Sequence, residues 1–103
     1  TLVPIVWSLE VANALLTEER RGRLSEADVL RFLEILRSLP IFVDSTPSEQ
    51  VLDDILALGR RHDLSAYNAS YLELAMRQGV PLATLDVRLT EAAKAAGVTI
   101  FSP

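Results

Sequence analysis

The sequence predicts an α/β domain in which a parallel sheet lies between layers of helices, and three observations point there. Short apolar runs of strand character at 41–43, 80–85 and 98–101 alternate with capped stretches of helical period. Strands separated by helices must be joined by crossovers, which favour parallel pairing over hairpins. The chain has 103 residues, half of them apolar, enough for one small core and too few for a second domain.

The elements follow in order. The chain opens on TLVPIVW without an initiator Met. An apolar opening of this kind is expected of an internal fragment whose upstream partner strand lies earlier in the gene; tag removal is the alternative. Residues 5–17 are apolar on nearly every side (Trp7, Leu9, Val11, Leu15, Leu16), the pattern of a buried helix. At about 100° per residue, Glu10, Asn13 and Thr17 fall on one stripe of that helix. The stripe is either its solvent face or a set of polar groups with work to do. An ionised carboxylate among apolar neighbours is costly unless a cation, a metal or several donors meet it, so Glu10 is its sharpest member.

After the ERRGR run the chain turns at Gly22, and Ser25 with Asp28 has the form of a capping box for a helix reaching 39, ended by Pro40. The strand at 41–43 follows. Thr46, Pro47 and Glu49 then supply an N-cap, a first-turn proline and the N3 carboxylate of a helix running to 61. Ser65 caps the next helix, with Asn68 at N3 and Gly79 as its stop after 78. The strand 80–85 closes on Asp86, and a last helix at 88–96 leads through Gly97 into the strand 98–101. No repeat, linker or low-complexity tract interrupts this order.

Composition removes several functional classes. Without cysteine there is no disulfide, thiolate metal site or cysteine nucleophile, which fits a reducing cytoplasm. No apolar run approaches the roughly 18 residues of a membrane helix, and no signal peptide is visible. A net charge of −4 argues against broad electrostatic capture of nucleic acid, though a local basic patch survives such an average. The acidic surface suits a basic partner segment.

In parallel sheets, functional groups gather beyond the carboxyl ends of the strands. Asp86 ends a strand there, and Asn68 opens a neighbouring helix. Each has a structural alternative: Asp86 as a helix N-cap, Asn68 as a helix-start residue. His62, the sole histidine, is read as structural rather than as a general base, and Tyr67 and Tyr71, four apart, as packing residues.

Four segments, PIVWSLEVANALL (4–16), RRGRLS (20–25), HDLSAYNASYLELA (62–75) and LATLDVRLTEAAKAAGV (82–98), in this order and spacing, resemble the PIN-domain ribonucleases, specifically the VapC-type toxins of toxin–antitoxin pairs. The resemblance covers nearly the whole chain. It implies a three-layer α/β fold, an acidic pocket for Mg²⁺ or Mn²⁺, hydrolysis of RNA phosphodiester bonds and an antitoxin partner. The family's helix glutamate falls on Glu10 and its strand-end aspartate on Asp86, which the resemblance makes metal ligands. Its intermediate aspartate falls on Asn68. Its first aspartate sits on an opening strand that, with the helices after it, this chain lacks.

Hard divalent cations take oxygen ligands, and an amide oxygen brings no negative charge. Weak metal binding and little or no hydrolysis are therefore expected. RNA phosphates, if met at all, would be met by Arg20, Arg21, Arg23, Arg60, Arg61, Arg77, Arg88 and Lys94, for most of which a solvated charged face is the better reading. The absent strand predicts a homodimer or a complementing N-terminal segment. Three functions stay open: an endoribonuclease, a non-catalytic module gripping an antitoxin or itself, and an unrelated α/β ligand domain in which Glu10 and Asp86 are incidental.

Overall fold

The computed structural model describes residues 1–44 and 49–101, in two compact units, Thr1–Asp44 and Ser45–Pro103. In the first, the strand β1 (Leu2–Pro4) pairs in parallel with β2 (Phe42–Asp44), Val3 opposite Val43. The crossover between them is a pair of helices, α1 (Trp7–Arg20) and α2 (Glu26–Ser38). Gly22, at φ +73°, takes the left-handed turn between these helices, a region open to glycine at little cost. At the start of α2 the expected capping box is complete: Ser25 Oγ accepts from Asp28 N–H at 3.1 Å, and Asp28 Oδ2 accepts from Ser25 N–H at 3.0 Å.

α1 departs from the buried helix that its composition predicts, for none of its residues is buried. A helix apolar all round needs neighbours all round, and within its unit α1 has one helix and two three-residue strands. Leu9 stays 71% exposed. Trp7, Val11, Leu15, Leu33, Leu36 and Val43 line an open apolar cleft of about 570 Å³ in this unit.

The second unit is built around α4. α3 (Glu49–His62), α4 (Ala66–Gln78) and α5 (Val87–Ala95) follow one another, with α4 packed on both of the others. The core joins Leu58, Ala69, Leu72, Ala75, Leu82, Leu89, Ala92 and Ala93. Its four alanines let helix axes approach closely, while Leu72 fills the centre. Glu73 is also buried, and its carboxylate is held by Arg77 through two bonds of 2.7 and 3.0 Å. Gly79 ends α4 in the left-handed conformation, as its position predicts. Thr46 and Pro47, expected to start α3, lie outside the described residues.

The strands expected at 80–85 and 98–101 shrink to one parallel bridge between Leu82 and Ile100, with Leu82 N–H donating to Thr99 O and Phe101 N–H to Leu82 O. An apolar run becomes a strand only where a ladder partner runs alongside it. Pro81 has no N–H to offer, and Leu85 is fully exposed.

Candidate functional site

Asp86 and Asn68 both lie in the second unit, each at the start of a helix. Asp86 is the N-cap of α5: Oδ1 accepts from Leu89 N–H at 2.8 Å, and its own N–H donates to Thr84 Oγ1 at 3.0 Å. The capping alternative is thus real, yet it uses one oxygen. Oδ2 accepts no hydrogen bond among the described residues, and the side chain stands at an exposed position.

Asn68 occupies N3 of α4, where its backbone N–H donates to Ser65 Oγ at 3.1 Å. The reciprocal half of a capping box is missing, because the Asn68 amide does not return to the Ser65 N–H. The comparison with α2 is internal: Asp28 closes its box and Asn68 does not. The half-buried Asn68 side chain is left without a hydrogen-bond partner among the described residues.

An ion pair ties these two helix starts together. Arg88 Nη1 donates to Asp63 Oδ2 at 2.8 Å and meets the Asp63 carbonyl at 3.4 Å. Asp63 comes just before the Ser65 cap, and Arg88 sits in the first turn after Asp86, so α4 and α5 begin at the same end of the unit. The sequence reading missed Asp63; its only signal there was its place in the HDLS segment between two helices.

Glu10 lies in the first unit, half-buried on α1. Its Oε1 is buried and has no hydrogen-bond partner among the described residues, an arrangement that normally costs stability. Of its stripe, Thr17 is half-buried and Asn13 exposed. Taken singly, the orphaned carboxylate oxygen on Glu10 in the first unit, and the free carboxylate oxygen on Asp86 and amide oxygen on Asn68 in the second, are oxygens of the kind that a hard cation such as Mg²⁺ or Mn²⁺ takes. They are short in charge, and no cluster of three or more histidine or acidic residues with metal-binding geometry occurs among the described residues.

The other candidates separate. His62 ends α3 half-buried, Tyr71 packs against the core, and Tyr67 instead stays 58% exposed. Of the basic residues proposed for RNA, Arg23 pairs with Glu18 and Arg77 with Glu73 on their own or adjoining turns, while Arg88 reaches across the unit.

No family model matches the chain. Ribonuclease VapC3 of Pyrobaculum aerophilum is 38% identical over 82 residues, which cover 80% of this chain and 63% of that protein. VapC ribonuclease Mb0985 of Mycobacterium bovis and ribonuclease VapC9 of Mycobacterium tuberculosis are each 36% identical over 93 residues, covering 90% of this chain and 70% of theirs. The crystal structure of PAE2754 from Pyrobaculum aerophilum matches with a TM-score of 0.74 at 31% identity, over 88% of this chain and 65% of that one. The chain spans 63% of the length of the VapC3 relative.

Proposed function

Because this chain belongs to the VapC family of ribonucleases and has their PIN-like α/β fold, we propose that it serves a metal-dependent endoribonuclease toxin and that, as it stands, it cleaves RNA weakly or not at all. The relatives named as ribonucleases support the first half of that reading. The observation that carries the second is Asn68, a neutral and unbonded amide where the family resemblance calls for a carboxylate.

In this reading, which rests on the family resemblance, Glu10 and Asp86 are carboxylate ligands of Mg²⁺ or Mn²⁺, and Asn68 offers a neutral oxygen donor in place of a third carboxylate. When bound, the cation would neutralise phosphate charge and lower the pKa of an attacking water. The chain's own contribution is to present oxygens. Asp86 Oδ1 is committed to Leu89 N–H, which restrains the side chain and leaves Oδ2 free. Glu10 has already lost water from Oε1 without gaining a donor, a cost that an arriving cation would offset. Asn68 adds a dipole and no charge, which lowers affinity for a divalent ion.

The test is RNA cleavage and Mn²⁺ titration by this chain and by Glu10→Gln, each with and without EDTA. Detectable but weak Mn²⁺ binding, lost in Glu10→Gln, and little cleavage are expected. Strong cleavage abolished by EDTA would overturn the second half of the reading; Mn²⁺ binding unchanged in Glu10→Gln would remove Glu10 from the ligands.

A second reading, a non-catalytic module that grips an antitoxin or a second copy of itself, is favoured by the open apolar cleft lined by Trp7, Val11, Leu15 and Leu33. Co-purification with a small basic peptide while added RNA stays intact would select it; a homodimer in solution would select self-association. The family relationship removes the unrelated ligand domain from consideration. RNA and an antitoxin are therefore the proposed partners. Among the described residues no helix is long and apolar enough to cross a membrane.

A further inference from the structure

We infer that Asp63 and Arg88 are a positioning pair, which holds the first turn of α5, and with it Asp86, against the start of α4. The inference about Asp86 as a ligand rests on the ribonuclease reading above; the geometry of the pair does not.

The backbone gives the first reason. Among the described residues the chain enters the left-handed region at Gly22, Gly79 and Gly97, and at one residue that is not glycine, Asp63, with φ +53°. A side chain there is strained, and glycine would make the same turn more cheaply. Aspartate tolerates the region better than most residues, but tolerance alone does not explain why a side chain is kept. Its carboxylate does: Oδ2 accepts from Arg88 Nη1 at 2.8 Å, and the carbonyl of the same residue lies 3.4 Å from that nitrogen.

The choice made by Arg88 gives the second. Glu91 lies three residues further along α5, the usual place for a helical ion-pair partner, and would need no chain to be brought from afar. Arg88 passes it over and bonds a residue 25 positions away. Glu91 makes no ion pair among the described residues. The pair is not core packing, since the Arg88 and Asp63 side chains are 69% and 88% exposed.

What the pair holds is the third. Arg88 is two residues beyond Asp86 and next to Leu89, whose N–H is bound by Asp86 Oδ1. On the other side Asp63 leads into Ser65, whose hydroxyl accepts from Asn68 N–H. The ion pair thus bridges the two caps, and Leu89, 3% exposed, pins α5 to the core beside it. Two attachments restrict rotation of this first turn, and rotation is what would swing Asp86 Oδ2 out of place.

The test uses Asp63→Gly, which keeps the left-handed turn and removes only the carboxylate, together with Arg88→Gln and the double variant. Three quantities are read: amide hydrogen exchange at Leu89 in EDTA, the dissociation constant for Mn²⁺, and the thermal midpoint. In both single variants Leu89 exchange should rise, and Mn²⁺ affinity fall, by about two- to fivefold, the range open to an exposed ion pair. The midpoint of Asp63→Gly should stay close to that of the parent, because relief of backbone strain offsets the lost pair. The double variant should be no worse than either single one. Unchanged Leu89 exchange in Asp63→Gly, or effects that add in the double variant, would overturn the pair. If Leu89 exchange rises while Mn²⁺ affinity holds, the pair is structural and does not position a ligand. If the parent binds no Mn²⁺, the metal reading fails, and Leu89 exchange still decides whether the cap of α5 depends on Asp63.

Discussion

Asn68→Asp separates the two things that an acidic residue at this position could do. Asp28 shows what the introduced carboxylate gains if capping is all that matters: it would accept from Ser65 N–H as Asp28 Oδ2 does from Ser25 N–H at 3.0 Å. A negative charge in the first turn of a helix adds about 0.3–1 kcal/mol. At roughly 4–8 °C per kcal/mol for a domain of this size, the midpoint in EDTA would then rise by a few degrees, and Mn²⁺ would add nothing. In an acidic metal site the balance differs. The new charge shares an end of the unit with Asp86, so repulsion offsets the capping gain and the midpoint in EDTA does not rise above that of the parent. Mn²⁺ at about a hundred times its dissociation constant then stabilises the variant by about 2.7 kcal/mol, some 10–20 °C. Calorimetry in EDTA and in Mn²⁺, followed by an RNA cleavage assay, measures both. The second outcome is expected, together with a gain of chelator-sensitive cleavage. A Mn²⁺ shift as large in the parent as in the variant, or cleavage equally strong in both, would refute the assignment of Asn68 as the weak point.

Three further outcomes follow from the same geometry. Asp86→Ser keeps an N-cap while Asp86→Ala does not, so urea unfolding should show about 1 kcal/mol lost in the alanine variant and only a few tenths in the serine variant, while both lose Mn²⁺ binding. Gly59→Ala, at an α3 position where alanine ordinarily gains about 1 kcal/mol, should gain nothing, because the new Cβ would meet the Leu64 carbonyl at 3.2 Å and that carbonyl belongs to backbone; a clear rise in midpoint would contradict the close approach. Hydrogen bonds from the Ser25 backbone and side chain, aided by the Arg31 charge, hold the Asp28 carboxyl below the usual aspartate range. A lowered folded pKa means stability present at neutral pH and lost as pH falls through that value, so the start of α2 should fray below about pH 4. An NMR titration should show Asp28 moving back toward its ordinary pKa in Ser25→Ala.

Local chemistry was legible in the sequence and distant pairing was not. The Ser25–Asp28 box and the span of α4 from the Ser65 cap to Gly79 emerged as read, because a cap is decided within a few residues of itself. The strands at 80–85 and 98–101 were over-read, since an apolar run carries no record of whether a ladder partner runs beside all of it. The burial of α1 failed for a related reason: periodicity reports which faces are apolar, not whether anything covers them. Tyr67 and Tyr71 looked alike at a spacing of four, yet one packs and the other is exposed, a difference set by neighbours outside the helix. The bond between Asp63 and Arg88 lay furthest out of reach, joining residues 25 apart with no shared motif.

Asp86 shows why spacing alone could not choose between a structural and a chemical role. A carboxylate has two oxygens, and the roles do not compete for the same one. Oδ1 is bound to Leu89 N–H, and that bond orients the side chain, while Oδ2 is left to meet something else. A helix start suits an oxygen acceptor of this kind, because the first-turn N–H groups lack partners within the helix. The cap is therefore part of how a ligand would be prepared, not evidence against one. The same logic applied to Asn68 gives the opposite result. Its backbone N–H satisfies Ser65, but its side chain neither closes the cap nor carries charge, so it contributes half of the structural role and only the neutral part of the chemical one. A chain that kept Asp86 and lost the charge at Asn68 would keep the fold at this end of the unit while giving up most of its hold on a divalent ion.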